Sequence, residues 1–167
     1  MPNLPVLVIG GGPAGLEAAR GIVDLGYNCI LVDKADFLGG NPIFADYSAI
    51  TPDMRNAEEA MDEMIAKVII NPLVDIRLNT TVAASEGDAP NLNVKLVNGK
   101  GEETVDVGSV VVATGFQHFD PGKETQMYGY YEFDDVITLV DVERMLKGGN
   151  FIQPSTGEKP KQVCFIQ

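Results

Sequence analysis

The 167-residue chain contains no tryptophan, one histidine and two cysteines, and its 24 acidic residues outnumber its 12 basic ones. Each shortage removes a class of function. Two thiols cannot hold an iron–sulfur cluster or a structural zinc, and Cys29 and Cys164 form no C-x-x-C pair. Both sit in aliphatic runs that read as strands, which suits buried structural thiols in a reducing cytoplasm. A formal charge of −12 argues against nucleic acid, because no basic surface can neutralise a run of phosphates. The densest acids, Asp53, Glu58, Glu59, Asp62 and Glu63, read as one solvated helix face. No apolar stretch approaches the ~18 residues of a membrane-spanning helix, so no direct membrane insertion is expected. The opening aliphatic run lacks a basic leader and a small-residue cleavage site, and does not read as a secretory signal. No nucleophile–base–acid triad or metal-ligand spacing is visible.

What the chain does have is glycine in a specific order. Val6-Leu7-Val8-Ile9 runs into Gly10-Gly11-Gly12-Pro13-Ala14-Gly15, and Leu16-Glu17-Ala18-Ala19-Arg20 follows as a helix former. In a dinucleotide site Gly10 makes the tight turn, Gly12 lets backbone approach a pyrophosphate, and Gly15 lets helix and strand pack closely. The helix start offers unpaired N–H groups and a positive dipole end to the phosphates. Glycine-rich turns alone are common, and an ordinary βα turn is the bland alternative. Here a second aliphatic run, Cys29-Ile30-Leu31-Val32, ends on Asp33, placed to accept hydrogen bonds from a ribose hydroxyl.

Along the chain, the pattern predicts strand 5–9, helix 14–25 and strand 28–32, with Gly26 stopping the helix. Leu16, Ala19, Ile22, Val23 and Leu25 form the core side of that helix, and Glu17, Arg20 and Asp24 its polar side. Residues 34–52 read as an irregular connection broken by Gly39-Gly40, Pro42 and Pro52. Thr51-Pro52-Asp53 then reads as a helix start. Met54, Ala57, Met61, Met64, Ile65, Val68 and Ile69 recur at helical spacing, until Asn71-Pro72 ends the element. Val74 to Leu78 alternates like a strand. Leu92 to Val97 and Glu103 to Val107 flank Asn98-Gly99-Lys100-Gly101 as a hairpin. Val110-Val111-Val112-Ala113 reads as a strand buried on both faces. A short helix over 139–147, ended by Gly148-Gly149, a loop over 150–161 and a strand at Val163-Cys164-Phe165-Ile166 complete the reading.

The implied fold is α/β: an FAD/NAD(P)-binding Rossmann-like domain, with a parallel sheet and a small antiparallel β-hairpin layer. The domain is expected over residues 1–120, with 121–167 an extension and the start of a further segment. A chain stopping on a strand, with no second G-x-G-x-x-G, reads as part of a longer flavoprotein. Gly87-Asp88 is read as a loop.

Three matches carry a family resemblance. Val8 to Gly15, Val32-Asp33-Lys34 with Gly39-Gly40, and Val111-Val112-Ala113-Thr114-Gly115 resemble the FAD domain of two-dinucleotide-binding flavoproteins. More narrowly, Ala113-Thr114-Gly115-Phe116, Tyr128-Gly129-Tyr130, Val136-Ile137-Thr138, Glu143-Arg144-Met145-Leu146 and Pro154 to Lys161 look like the heterodisulfide reductase A subunit. Its relatives include the flavoprotein subunits of the quinone-interacting membrane-bound oxidoreductase complex. The resemblance implies FAD as cofactor, and an electron relay between iron–sulfur or quinone-linked electron-transfer subunits and ferredoxin-like carriers. Where glutathione reductase-type enzymes carry a redox cysteine pair, this chain has Asn41-Pro42-Ile43-Phe44, so a thiol relay there is excluded.

The candidate cofactor-binding residues are Gly10, Gly12, Pro13, Ala14, Gly15, Asp33, Lys34, Gly39, Gly40, Val82, Ala113, Thr114 and Gly115. FAD proteins more often carry Glu at the Asp33 position, so Asp33 must sit closer or bridge through water. Lys34 stacks on the adenine edge or is a surface lysine. By the same resemblance Gly39 and Gly40 lie near the pyrophosphate and flavin, and the Val82 backbone contacts adenine; a loop turn and a core valine are the alternatives. Thr114 and Gly115 end a strand at the carboxyl edge of the sheet, where ligands of such folds collect. A flavin needs no protein base for electron transfer, so His118 reads as a surface residue. Tyr128, Tyr130 and Tyr131 read as local packing, or as a lid or partner surface. Rival readings are a catalytically silent docking or structural module, and an NAD-dependent dehydrogenase.

Overall fold

A computed structural model describes residues 4–123 and 128–166. Strand β1 (Val6–Ile9), helix α1 (Pro13–Asp24) and strand β2 (Cys29–Val32) open the chain. A short helix α2 (Asn41–Phe44) and a two-residue ladder, β3 (Ala49–Ile50) with β4 (Arg55–Asn56), lead to helix α3 (Ala57–Ile69) and strand β5 (Val74–Arg77). Three strands follow as a meander, β6 (Thr80–Asp88), β7 (Asn91–Asn98) and β8 (Gly101–Val107). Strand β9 (Ser109–Val112), a single 3-10 turn at Pro121–Lys123 and helix α4 (Leu139–Lys147) complete the described elements.

The main sheet is parallel, in the order β5-β2-β1-β9, with Val6 opposite Cys29 on one side and Ser109 on the other. Side chains alternate across it with the period of two that a strand imposes. Val8, Cys29 and Leu31 face the helices and meet Leu16, Ala19 and Val23 of α1 and Val68 of α3. Leu7, Ile30 and Val32 face the other way, onto Val94 and Leu96 of β7 and Val105 and Val107 of β8. Covering on both faces is why β1 and β2 are continuously apolar in sequence. Each large aliphatic side chain buried this way contributes roughly 1.5–3 kcal/mol. The ends of β1 and β2 are therefore held by two packed layers, and the loops leaving them inherit that rigidity.

Several elements depart from the sequence reading, each for a physical reason. Helix α3 starts after Asn56, whose side chain accepts the Glu59 N–H at 3.1 Å, and not at Thr51-Pro52-Asp53. Pairing of Arg55-Asn56 with Ala49-Ile50 takes the preceding residues into a turn, leaving Met54 exposed there. Leu25 and Ile69, expected on core faces, are exposed at the last turns of α1 and α3. The 34–52 connection is not wholly irregular, since it holds α2 and β3. Strand β6 was invisible because only Thr80 of its residues is buried; backbone pairing with β7 defines it, and Gly87-Asp88 lies at its end, not in a loop. Strand β9 lies at the sheet edge, so it is not buried on both faces: Val112 is 71% exposed. Val163 to Ile166 is extended-type sequence with no strand partner among the described residues, and Val163, Phe165 and Ile166 are exposed. β-propensity reflects packing against neighbours, and none is supplied there. Cys164 is consequently exposed, while Cys29 is buried.

Candidate dinucleotide-binding site

The chain leaves β1 at Gly10, whose φ is +110°, with an added Cβ falling 2.2 Å from the Ala113 carbonyl oxygen. Only glycine tolerates both conditions. The Gly10 amide donates to Val32 O and the Ala113 amide donates to Ile9 O, both at 2.8 Å, which stitches the turn to the strands on either side. Gly15 lies in the first turn of α1, directly over Gly10: a Cβ there would sit 1.7 Å from the Gly10 oxygen. Gly12 is different. It caps α1 with extended backbone, and its Cβ would meet one atom, Gly40 Cα, at 3.6 Å. Packing within the protein therefore does not require glycine at position 12. Pro13 takes the first helical position, and the amides around it have no partner inside the helix.

A second loop is laid against the first. The Gly39 amide donates to Gly11 O at 2.8 Å, and a Cβ on Gly40 would lie 2.8 Å from Gly12 Cα and 3.7 Å from Pro13 Cδ. Gly40 then starts α2, whose Asn41 side chain donates to Phe116 O at 2.9 Å. Asp33 closes the other side of the cradle. Its carboxylate accepts the Gly11 amide at 2.5 Å through Oδ2 and the Ala35 amide at 2.8 Å through Oδ1. Each carboxylate oxygen keeps a free lone pair for a ligand hydroxyl.

The structure thus brings Gly10, Gly12, Pro13, Gly15, Gly39, Gly40 and Ala113 into one contact set, with Asp33 joined through Gly11. Ala14 is exposed on the first turn of α1, Lys34 is exposed beside Asp33, and Thr114 and Gly115 are exposed beyond Ala113. Val82 lies on the Asp33 side, in the strand tied to Asp33 O by the Thr80 amide at 2.8 Å. The Val82 side chain packs into the antiparallel sheet's core, at an irregularity in the β6–β7 register.

Sequence reading missed three partners of this region. Gly11 contributes the amide that Asp33 holds. His118 is half-buried, not a surface residue, and its Nε2 lies 3.0 Å from Tyr47 Oη. Burial, and next the Glu143 charge, push the Tyr47 phenol above its ordinary range. Glu143 of α4 accepts both the Ser48 amide at 2.9 Å and the Ser48 hydroxyl at 2.7 Å. These contacts join residues 71 and 95 positions apart, so no local pattern announces them.

The residues suit FAD. Room above Gly12, unpaired amides at the start of α1 and a half-buried carboxylate at the end of β2 match a diphosphate next to a ribose. Among the described residues, no cluster of His, Cys, Asp and Glu could hold a metal ion, and no helix is long and apolar enough to cross a membrane.

A parallel sheet with a glycine cradle at the carboxyl ends of its central strands defines a dinucleotide-binding α/β domain. Residues 4–144 match the pyridine nucleotide-disulphide oxidoreductase family, and the chain belongs to it, as an FAD-binding oxidoreductase. It is 45% identical over 67 residues to the A subunit of the ferredoxin/F(420)H(2)-dependent CoB-CoM heterodisulfide reductase of Methanosarcina acetivorans, covering 37% of this chain and 8% of that protein. It is 43% identical over 70 residues to the A subunit of the H(2):CoB-CoM heterodisulfide,ferredoxin reductase of Methanothermobacter thermautotrophicus, covering 39% and 10%. The stretch aligned with each of these curated relatives is thus a tenth or less of the relative's length. Among solved structures, L-proline dehydrogenase from P. horikoshii superposes with a TM-score of 0.59 at 25% identity, covering 67% of this chain and 22% of that one. Thioredoxin reductase from T. acidophilum gives 0.59 at 18% identity, covering 77% and 41%, and shares the fold.

Proposed function

We propose that this chain uses FAD to relay electrons between protein redox partners, in the manner of the heterodisulfide reductase A subunit, with iron–sulfur or quinone-linked subunits as donor and acceptor. The observation that carries the reading is the contrast within the fingerprint. Gly10 and Gly15 are demanded by the fold, whereas Gly12 is free on the side where a diphosphate would lie. In this reading the amides of Gly12, Ala14 and Gly15 hold the diphosphate and Asp33 orients the adenosine ribose. Lys34 and the Val82 backbone flank the adenine, Gly39 and Gly40 allow the close approach of backbone, and Ala113, Thr114 and Gly115 border the flavin end. The flavin, when bound, supplies the electron-transfer chemistry itself.

Relay to a partner, in preference to a thiol within the chain, is supported by Asn41-Pro42-Ile43-Phe44 forming α2 where a cysteine pair would stand. Cys29, buried in β2, is no substitute. The names of the relatives support iron–sulfur partners, one of them being the iron-sulfur A subunit of a CoB–CoM heterodisulfide reductase of Methanopyrus kandleri. A reducing cytoplasm is the compartment proposed for it, supported by the unpaired state of both thiols.

Visible spectroscopy tests the reading. The purified chain, as isolated or after incubation with FAD and desalting, should show flavin absorbance, and Gly12→Asp should remove it by placing a carboxylate against the diphosphate. A colourless protein that binds NADH in preference to FAD would overturn it, as would full FAD affinity in Gly12→Asp.

A further inference from the structure

The cradle accounts for the adenosine and diphosphate of FAD but leaves the flavin ring without assigned residues. Beside Pro13, on the side of the cradle away from Asp33, lies a cavity of about 400 Å³. Its walls are apolar: Met61 and Met64 of α3 on one side, Leu139 and Val140 of α4 on another. The chain segments that follow the two remaining glycine loops converge on it. From Gly40 the chain passes through α2 to Tyr47, whose amide is tied to Pro42 O at 3.0 Å. From Gly115 it passes to His118, anchored where Asn41 holds Phe116 O. The two segments meet as the Tyr47–His118 hydrogen bond, with their rings edge to face at 5.6 Å between centroids. Phe116 packs edge-on against the other side of His118 at 5.1 Å.

Helix α4 faces this space with no buried side chain of its own. Polar ties hold it in place. Glu143 is anchored on Ser48, and Lys147 reaches Asp46 at 3.1 Å and Glu58 at 3.2 Å. Such a helix, pinned by charge and hydrogen bonds over an apolar hollow, suits a flat, mostly apolar ring with one polar edge.

We propose that α4 is part of the cofactor site: it roofs the pocket that receives the flavin ring, and the Tyr47–His118 pair supplies hydrogen bonds to the ring's polar edge. A dinucleotide laid across Asp33, Gly11 and Gly12 leaves the cradle at Pro13, where this pocket opens. Dispersion and burial against the methionines and α4 hold the ring, and the phenol–imidazole pair aligns it. The assignment rests on the FAD reading above.

Binding of FAD and ADP to the full chain separates the two. ADP carries the adenosine and diphosphate but no ring. Val140→Trp should fill the hollow from a helix that contributes nothing to the core, lowering FAD affinity at least tenfold while ADP affinity stays within twofold. Glu143→Ala, which frees the roof from Ser48, should do the same more weakly. Tyr47→Phe should shift the visible absorbance maximum of bound FAD. Unchanged ADP binding also reports that each variant has folded. Equal losses for both nucleotides, or no loss of FAD affinity in either α4 variant, would overturn the pocket assignment and leave the FAD reading standing. A wild-type chain that binds ADP but not FAD would overturn the FAD reading itself.

Discussion

Gly15 rides so close to Gly10 that a Cβ on the helix residue would sit 1.7 Å from the strand residue's carbonyl oxygen and 2.9 Å from its carbon. That approach sets the height of α1 over β1. Gly15→Ala must therefore push helix and strand apart, and overpacking of this kind costs roughly 1–3 kcal/mol or more. Gly12→Ala is its complement: φ is −79°, the nearest atom to the new Cβ is 3.6 Å away, and stability should change by no more than about 0.5 kcal/mol. FAD affinity should nevertheless fall at least tenfold in Gly12→Ala. Urea unfolding of both variants with FAD titration of the second checks the pair. A large loss of stability in Gly12→Ala would show that its role is packing.

Asp33 has a structural duty besides any ligand role. Its carboxylate accepts two backbone amides, from Gly11 and Ala35, and its own carbonyl accepts from Thr80. Asn keeps one acceptor oxygen, so Asp33→Asn leaves one of those amides facing an NH2 group. The unliganded protein should lose about 1–3 kcal/mol, the cost of an unmade hydrogen bond in a part-buried site. A thermal melt without nucleotide measures it. No change there would mean that the carboxylate does not hold the fingerprint turn in solution.

The two thiols should behave as opposites. Burial pushes the Cys29 thiol up to about 11, while Cys164 is exposed. A folded-state value raised above the unfolded one stabilises below the unfolded pKa, near 8.5, and that contribution fades as pH climbs through the folded value. Cys29→Ser or Cys29→Ala should therefore flatten the fall in stability between about pH 8.5 and 11, which amounts to about 3 kcal/mol in the wild type. At pH 8, native alkylation should label Cys164 alone, and mass spectrometry of tryptic peptides would reveal any labelling of Cys29.

The cradle was legible because its chemistry is local. Gly10, Gly12, Gly15 and Asp33 lie within one βαβ unit, and the sterics that demand glycine at positions 10 and 15 act over five residues. The buried strands were legible for the same reason: Leu7, Val8, Ile30 and Leu31 are apolar because both sheet faces are covered. What escaped depends on distant partners. Strand β6 is held by backbone bonds to β7, with little burial to mark it. Val163 to Ile166 has the composition of a strand, yet composition does not supply a neighbouring edge. His118 acquires its setting from Tyr47, 71 residues earlier, and Glu143 from Ser48, 95 residues earlier. Helix α4, outside the domain expected over 1–120, therefore came to lie beside the cradle without any sequence signal.

Asp135 gives the segment after α4 a pH-dependent anchor. Its carboxylate accepts the Ser155 amide at 2.9 Å, the Ser155 hydroxyl at 2.7 Å and the Gln153 side-chain amide at 2.6 Å. Hydrogen bonds from Gln153, then from Ser155, favour the charged form and hold this carboxyl below its usual range. A depressed folded value means that the anchor is in place at neutral pH and is lost as pH falls through that value, below the ~3.9 of a free Asp. Gln153 and Gly157 remain bonded backbone to backbone, so the 153–158 turn should persist while its tie to Asp135 opens. Hydrogen exchange of the Ser155 amide should be slow at pH 6 in the wild type and fast at pH 6 in Asp135→Ala. Rates at one pH compare the two proteins directly, without the intrinsic pH dependence of exchange. Equal rates would mean that the tie contributes nothing in solution.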